Sequence, residues 1–324
     1  MRRRDFMVGL GGTVAWPLAA RAQQPAMPVV GYLTAERGAS AAPEFLNGLG
    51  EVGFVEGRNF AIDYRSANGA YDLFPALAAD LVRRRVSAIY VITTPAALAA
   101  KAATTSIPIV FGIGGDPVKL GLVASMNRPG GNITGGSAMN NALTAKRLDL
   151  LRELLPKAET IAFLMNPTNQ NMESDAQDAQ AAARAIGRRI LVVPAANEQE
   201  FDSAFAKIVN ERAGALLVGS DQLFQDRVDR IVELAARHAV PTIYDNIITN
   251  SPAVGRLISY GRLRGEGLRE SGVYVGRILK GEKPADLPVI QPTRFELVIN
   301  LKTAKTLGLT VPLTLQVAAT KVIE

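Results

Sequence analysis

Short apolar runs alternate with amphipathic segments along most of the chain. Runs such as 29–34 and 88–92 have the length and the apolar, β-branched content of strands that are covered on both faces. Between them, apolar residues recur at helical spacing, as in 43–54. Regular alternation of this kind predicts parallel sheets joined by right-handed helical crossovers. The chain is therefore predicted to be an α/β protein.

The alternation begins again after the segment 132–136. A helix at 143–155, a strand at 160–165 and further pairs up to residue 244 repeat the arrangement of the first half, without visible repetition of its sequence. At 324 residues, the chain also exceeds a typical domain of about 100–150 residues. We therefore predict two lobes, with the proline-rich segment 283–292 crossing between them.

Residues 1–22 have the pattern of an export signal. Three arginines precede an apolar run at 6–20, and an A-x-A sequence ends at Ala22. The run Arg3-Arg4-Asp5-Phe6-Met7 is similar to a twin-arginine signal, but a general secretory signal looks nearly the same, so both routes stay open. The apolar run is shorter than the roughly 20 residues that a membrane-spanning helix needs. The absence of cysteine fits export and excludes thiolate metal sites.

The charge of the chain does not favour nucleic acid. The formal net charge is +6, but the predicted leader carries four arginines and one aspartate, so its removal lowers the net charge to +3. No basic patch is interleaved with aromatic residues. With 48% hydrophobic and 20% charged residues, the composition also excludes a disordered chain.

The stretch 107–122 is the first candidate for a ligand site. It predicts a buried strand, a glycine turn that includes Gly115, and a helix that begins at Pro117 with Asp116 as its N-cap. Backbone N–H groups at a helix start favour a carboxylate or another anion. An ordinary strand-to-helix turn capped by Asp116 explains the same residues, and the sequence leaves this alternative open.

The end of the predicted strand 88–92 repeats this design. Thr94 would cap a helix that starts at Pro95, which leaves the amides of Ala96 and Ala97 free for an acceptor. Capping without a ligand is again the alternative.

In parallel sheets, ligands bind beyond the carboxyl ends of the strands. Polar residues at these ends are therefore predicted to face one cleft, although each alone is more often a cap or turn residue. They are Thr34, Thr94, Asp116, Asn166, Asp221 and Asp245.

The sequence offers little catalytic chemistry. The single histidine, His238, lies late in a predicted helix, where the helix dipole explains it. A G-x-G-x-x-G match at 48–53 falls inside a predicted helix and not in a strand-to-helix turn, so we reject it as a dinucleotide site. Nucleophile elbows, P-loops and histidine clusters are absent. Catalysis by clustered aspartates stays open, but we predict a binding protein that needs no cofactor.

Several segments carry a resemblance to a known family. They include GGDPVKLGLV at 114–123, GRILKGEKP at 276–284 and FELVINLKT at 295–303, with further matches at 16–24, 53–59, 94–100, 127–132 and 235–241. With these motifs, the chain resembles the substrate-binding proteins of bacterial ABC transporters, in the group that includes tryptophan and tyrosine uptake proteins.

The resemblance implies a type I periplasmic-binding fold, with two doubly wound parallel-sheet lobes joined by a hinge of several crossings. Lobe 1 would comprise 28–138 and about 257–290, and lobe 2 would comprise 139–256 and about 291–324. The lobes would close over a small molecule in the periplasm and deliver it to a membrane permease. We expect a monomer. A sensor subunit with the same fold is the alternative.

The resemblance also implies site residues. The carboxylate of an amino acid would lie on amides of lobe 1, at the turn 94–97 and at Gly115 and Asp116. Its ammonium group would lie near Asp221 or Asp245 in lobe 2. The remaining expected contacts are Asn166 and, near the hinge, Asn140.

Overall fold

In the computed structural model, the described residues are 27–36, 38, 40–245, 255–262 and 264–324, with only the backbone described at 140–142 and 264. The predicted export signal at 1–22 lies outside them. Among the described residues, no helix has the length and hydropathy needed to cross a membrane.

The first lobe is built on a five-stranded parallel sheet with the order β2-β1-β3-β4-β5. The elements in chain order are β1 Val29–Thr34, α1 Pro43–Glu51, β2 Ala61–Ser66, α2 Phe74–Arg83, β3 Ala88–Ile92, α3 Thr94–Ala103, β4 Ile109–Ile113 and β5 Ile133–Ser137. The predicted alternation of strands and helices is confirmed here.

The second lobe is built on a seven-stranded sheet with the order β12-β11-β10-β9-β8-β6-β7. The elements that follow β5 in the chain belong to this lobe, except for α9, which packs on the first lobe. They are α4 Asn140–Leu154, β6 Thr160–Met165, α5 Asn171–Ala185, β7 Arg189–Pro194, α6 Phe201–Asn210, β8 Ala215–Val218, α7 Gln222–Asp226, α8 Val228–Arg237, β9 Thr242–Tyr244, β10 Ile258–Gly261, α9 Arg264–Leu279, β11 Glu296–Asn300, α10 Leu301–Thr306, α11 Leu313–Ala318 and β12 Lys321–Ile323. Its strands are parallel except that β11 runs antiparallel to β10.

Both faces of each sheet are buried, which explains the unbroken apolar runs. In β3, Ile89 and Val91 join an apolar cluster with α2 and α3, whereas Ala88 and Tyr90 join a cluster with α1 and α9 on the opposite face. Successive side chains of a strand point to opposite faces, so a doubly covered strand must be apolar at every position. The β6 strand divides its side chains between two clusters in the same way.

The chain crosses between the two sheets three times. It leaves the first sheet after β5, returns after β10, and leaves again before β11, while Ile290 still pairs with Gly136 at the edge of the first sheet. The predicted boundary at about 257 is therefore too early, because β10 pairs with β9 and β11 in the second sheet. The return crossing follows Gly261, and α9 then packs on the first lobe.

The prediction that a helix begins at Pro117 is wrong. Residues 117–121 form a turn, in which Leu120 N–H donates to the carbonyl of Asp116 at 3.0 Å and Leu122 N–H donates to that of Pro117 at 2.8 Å. Gly121 adopts a φ of +65°, and the helical turn does not continue.

Gly48, the first glycine of the motif at 48–53, serves helix packing. A Cβ atom at Gly48 would lie 1.9 Å from the carbonyl oxygen of Arg269, and one at Gly272 would lie 2.1 Å from that of Phe45. Both distances are far below van der Waals contact, so only glycine lets α1 and α9 approach this closely. This contact accounts for Gly48 without a nucleotide.

Candidate ligand-binding site

A cavity lies between the lobes, at the carboxyl ends of strands from both sheets. The first lobe contributes residues at the ends of β3 and β4, and the second lobe contributes residues that follow β6, β8 and β9. Its volume is about 120 Å³, on the scale of the ~150 Å³ cavity that accepts a benzene molecule. Its polar and charged lining residues include Tyr90, Thr93, Thr94, Asn169, Asn171, Ser220, Asp221, Asp245, Arg262 and Ser271.

Asp221 lines this cavity with a carboxylate that is fully hydrogen-bonded. As the N-cap of α7 it accepts from Leu223 N–H at 2.9 Å. Two amides of the same lobe, Asn166 Nδ2 at 3.0 Å and Asn169 Nδ2 at 2.7 Å, donate to its two oxygens. Tyr71 Oη from the first lobe donates at 3.1 Å to both. Burial raises the pKa of Asp221, and these bonds act in the opposite direction.

A carboxylate has about four acceptor positions, so these four donors leave Asp221 little capacity for a ligand ammonium group. Asn166 supports Asp221 instead of facing a ligand. Its Nδ2 donates to the Asp221 carboxylate, and its Oδ1 accepts from the N–H and hydroxyl groups of Thr168. Of the two acidic residues that were expected to meet the ammonium, Asp221 instead joins the lobes.

Asp245, unlike Asp221, has a carboxylate oxygen that no described donor satisfies. Its side chain is 6% exposed, and its Oδ2 atom has no hydrogen-bond partner among the described residues. Burial raises its pKa, which the nearby positive charge of Arg147 and a hydrogen bond from Ser220 oppose. Arg147, itself buried, donates from Nη2 to the Asp245 carbonyl at 3.0 Å and from Nε to the Tyr260 carbonyl at 2.9 Å. Asp245 thus offers a buried oxygen that a ligand donor can satisfy.

Asn169 and Asn171, which also line the cavity, are linked by hydrogen bonds to a second buried carboxyl group. Asn171 N–H donates to Asn169 Oδ1 at 3.1 Å, and Asn171 Nδ2 donates to Asp175 Oδ2 at 2.7 Å. Asp175 is 5% exposed, and burial raises its pKa to about 7. The bond to Asp175 fixes the orientation of the Asn171 amide, which lines the cavity.

The turn between β3 and α3 lines the cavity from the first lobe. Thr93 is the N-cap of α3 with a φ of +91°, a left-handed value that β-branched residues rarely adopt. Its Oγ1 atom is buried without a hydrogen-bond partner among the described residues. An unpartnered hydroxyl on a strained backbone at the cavity wall is typical of a binding site.

Two expectations for this turn need correction. Thr94 is the first residue of α3 rather than its cap, although it does line the cavity. The N–H of Ala97 is not free, because it donates to the carbonyl of Thr93 at 3.1 Å. Ala96 and Ala97 have fully buried side chains and are not among the residues that line the cavity.

The expectation for Asp116 is also corrected. Its Oδ1 accepts from the N–H groups of Val118 at 2.9 Å and Lys119 at 3.2 Å, so it caps its own turn. Asp116 does not line the cavity. It serves as a capping residue of a turn, which is the alternative that the sequence left open. The same finding removes Asp116 from any catalytic cluster with Asp221 and Asp245.

Gly115 lies at a close approach of the two lobes and is not among the residues that line the cavity. A Cβ atom placed on it would lie 2.2 Å from Asn171 Oδ1 of the second lobe. Its carbonyl accepts from Ser137 Oγ at 2.6 Å, which holds the turn in place.

Two further predicted site residues are Thr34, which lies away from the cavity, and Asn140, of which only the backbone is described. Thr34 is buried at the end of β1, and its Oγ1 accepts from Glu36 N–H at 3.1 Å. It is not a cavity residue. Asn140 begins α4, directly after the crossing from the first lobe, and its side chain is outside the described set.

The sequence analysis did not select three residues that lie in or beside the cavity, and only one of them, Arg262, carried a local signal. Tyr71 follows β2 in a short 3₁₀ turn, and its partner is 150 residues away. Arg147 lies within α4, where an arginine is ordinarily exposed. Arg262 follows the β10 strand end, which was a usable signal, because that position is the one where ligand contacts are expected in such sheets.

The described residues contain no group of three or more histidine, aspartate or glutamate side chains that could hold a metal ion. The polar groups that line the cavity are single charges, hydroxyls and amides. Such a set is suited to binding a small polar molecule through hydrogen bonds and charge pairs.

Comparison with known proteins identifies the family. The family model for ABC transporter substrate binding proteins matches residues 39–323. A tyrosine-binding protein from Clostridioides difficile is 28% identical over 269 residues, which are 82% of this chain and 75% of that protein. A solved structure of an ABC domain in complex with L-Trp from Streptococcus pneumoniae has a TM-score of 0.79 at 25% identity, with 91% of this chain and 99% of that chain covered.

A conserved domain protein from Vibrio cholerae has a TM-score of 0.82 at 26% identity, with the same 91% and 99% coverage. The structural likeness and the family match agree with the two-lobed α/β fold and with a binding role. This family consists of binding proteins and not of enzymes. The chain belongs to the ABC transporter substrate binding protein family.

Proposed function

We propose that the chain is the exported solute-binding component of an ABC importer. It captures a zwitterionic amino acid or a related carboxylate between its lobes and delivers it to a permease in the inner membrane. The observation that carries this proposal is that Asp245 Oδ2, in the wall of the cavity between the lobes, has no hydrogen-bond partner among the described residues. The periplasmic location and the monomeric state belong to the same proposal.

Asp245 is the residue that pairs with the ligand ammonium group. A buried carboxylate oxygen without a donor is unfavourable, and an ammonium group supplies both a donor and the opposite charge. Asp221 does not take this role because four donors already occupy it. Asp221 instead stabilises the closed arrangement of the two lobes by accepting the hydrogen bond from Tyr71.

An aromatic side chain is the ligand portion that the rest of the cavity supports. Ile92, Ile113 and Leu268 line it beside the polar groups, and its volume is on the scale of one ring. The similarity to a tyrosine-binding protein and to a structure in complex with L-Trp supports the same class of ligand.

The test is a binding screen with the mature chain from Gln23 onward. We expect at least one of the twenty amino acids to raise the melting temperature, because a ligand at 100 times its Kd adds about 2.7 kcal/mol of stability. Isothermal titration then gives the Kd for the chain and for Asp245→Asn. Loss of a charge-assisted bond predicts an affinity about 10–100-fold lower.

Asp286→Asn is the matched control, since Asp286 is exposed and lies away from the cavity. It should bind like the unsubstituted chain. The proposal fails if none of the amino acids binds, and the role of Asp245 fails if both variants keep full affinity.

A further inference from the structure

Arg262 lies at the hinge end of the cavity, between β10 of the second lobe and α9, which packs on the first lobe. Its guanidinium group rests against the first turn of α9. A Cβ atom at Gly267 would lie 2.3 Å from Arg262 Nη1 and 2.6 Å from Nη2. Gly267 therefore leaves the space that this cation occupies.

The Arg262 guanidinium group has no ion pair within 4.0 Å and no hydrogen bond to any described residue. Glu270 and Glu266 act on it only at longer range, and burial lowers its pKa. Other arginines differ: Arg230 pairs with Asp202 at 2.8 Å, and the buried Arg147 donates to two carbonyls. A largely desolvated cation without a partner is unfavourable, so an anion from outside the chain would stabilise it.

Two neighbours strengthen the positive potential at this end. The sixteen-residue helix α9 begins two residues after Arg262, and the N-terminal end of a helix carries a partial positive charge. Ser271 and Tyr90 line the same end, and the pKa of Tyr90 is raised to about 12 by burial, with the Arg262 charge and Ser271 acting against this shift. The Tyr90 hydroxyl therefore stays protonated at neutral pH and can donate a hydrogen bond, whereas Ser271 Oγ already donates to the Gly267 carbonyl at 2.8 Å.

Among the described residues that line the cavity, Arg262 is therefore a cation without a partner and Asp245 carries a carboxylate oxygen without one. This pair of opposite charges is complementary to a zwitterion. We infer that Arg262 receives the carboxylate of the bound ligand, while Asp245 receives its ammonium group. The inference rests on the proposed function and names a specificity-determining residue for it.

This assignment replaces the amides of α3 as the seat of the carboxylate. Ala97 N–H is bonded within the helix, and Ala96 does not line the cavity. A guanidinium group binds a carboxylate through two parallel charge-assisted hydrogen bonds, which neutral amides do not match.

The experiment compares a carboxylate with its carboxamide. The probe is whichever amino acid binds the wild-type chain most tightly, together with its amide, for example L-tryptophan and L-tryptophanamide. Isothermal titration gives the Kd of each for the wild-type chain and for Arg262→Gln. We expect the substitution to lower affinity for the amino acid about 10–100-fold and to change affinity for the amide less than about threefold.

A structural role for Arg262 gives different results. It lowers affinity for the amino acid and the amide equally, and it lowers the melting temperature of the ligand-free chain. Removal of an unpaired cation should instead leave that melting temperature unchanged or raise it. Arg262→Lys keeps the charge without the paired donors and should bind the amino acid with intermediate affinity.

The two proposals fail in distinguishable ways. If the wild-type chain binds none of the amino acids, the proposed function fails and this assignment fails with it. If the wild-type chain binds but Arg262→Gln binds equally well, or loses acid and amide alike, only the role of Arg262 is overturned.

Discussion

The Tyr71 hydroxyl of the first lobe donates a hydrogen bond to the Asp221 carboxylate of the second lobe, 3.1 Å from each carboxylate oxygen. Both side chains are buried. Burial, and then the Asp221 charge, raise the pKa of Tyr71, so the phenol stays a donor at every physiological pH. This bond joins the two lobes, so we expect it to break when they move apart.

Tyr71→Phe should therefore weaken ligand binding. A hydrogen bond to a charged group contributes about 1.5–3 kcal/mol, which corresponds to a loss of about 10–100-fold in affinity if the ligand binds the closed form. Isothermal titration measures the loss, and small-angle scattering at saturating ligand measures closure. Tyr274→Phe is the control, because Tyr274 Oη donates to the Pro288 carbonyl at 2.7 Å within the first lobe. Equal affinities for the two variants would contradict the prediction.

Gly115→Ala should also act on closure. An alanine Cβ would lie 2.2 Å from Asn171 Oδ1 and 3.0 Å from Leu120 Cδ1, of which only the leucine tip moves easily. Asn171 is held by its bond to Asp175. The backbone of Gly115 is not left-handed, so the ligand-free chain should keep its stability within about 0.5 kcal/mol while affinity falls more than about tenfold.

Gly131→Ala is the matched control for this substitution, since no atom lies within 4 Å of its Cβ position and its φ is ordinary. Thermal unfolding and titration of both variants separate folding from closure. Full affinity in Gly115→Ala would show that the lobes do not meet there in the bound form.

Asp175 should make stability depend on pH. Burial raises its pKa from 3.8 to about 7 in the folded chain. The folded state therefore holds the proton more tightly than the unfolded state, and this stabilisation is complete below about pH 4 and is lost as pH rises through 7. The loss is roughly 2–4 kcal/mol.

Asp175→Asn removes this titration. In urea denaturation, its free energy of unfolding relative to that of the wild-type chain should increase between pH 4.5 and pH 8. Two curves that run parallel across this range would refute the assignment. Asparagine at 175 can still accept the hydrogen bond from Asn171, so the cavity wall is preserved.

Thr93 gives a prediction in which stability and affinity change in opposite directions. Its φ of +91° costs on the order of 1–3 kcal/mol for a β-branched residue. Thr93→Gly removes this strain energy, but the greater entropy of glycine in the unfolded chain costs about 0.5–1 kcal/mol. The gain exceeds this cost over most of the range, so the variant should unfold at a higher temperature. It also removes the unpartnered Oγ1, so affinity should fall several-fold. Thr93→Ser keeps the hydroxyl and should keep the affinity; a less stable Thr93→Gly would contradict the strain.

Much of the architecture was predictable because doubly covered strands must be apolar throughout. The runs at β3 and β6 are unambiguous for that reason. The turn at 117–121 was not, since an aspartate followed by proline begins a single turn as readily as a helix. The short elements α11 and β12 lie at the end of the chain, where few residues define a period.

The site was predictable only in part. The strand-end rule selected Asp245, Asp221 and Thr94 correctly as cavity residues. It does not reveal which of two aspartates is already saturated, because the donors to Asp221 come from three separate segments. For the same reason Tyr71, which is remote in sequence and outside a strand end, gave no signal.

The glycine contact between α1 and α9 has a consequence for biosynthesis. Helix α1 is made early, yet the helix that covers its Gly48 face comes after the whole core of the second lobe. The first lobe is therefore incomplete until about residue 279 has been synthesised. A nascent chain released before that point would expose this face to water, so chaperone or protease surveillance should recognise truncated forms even when their N-terminal sheet has assembled.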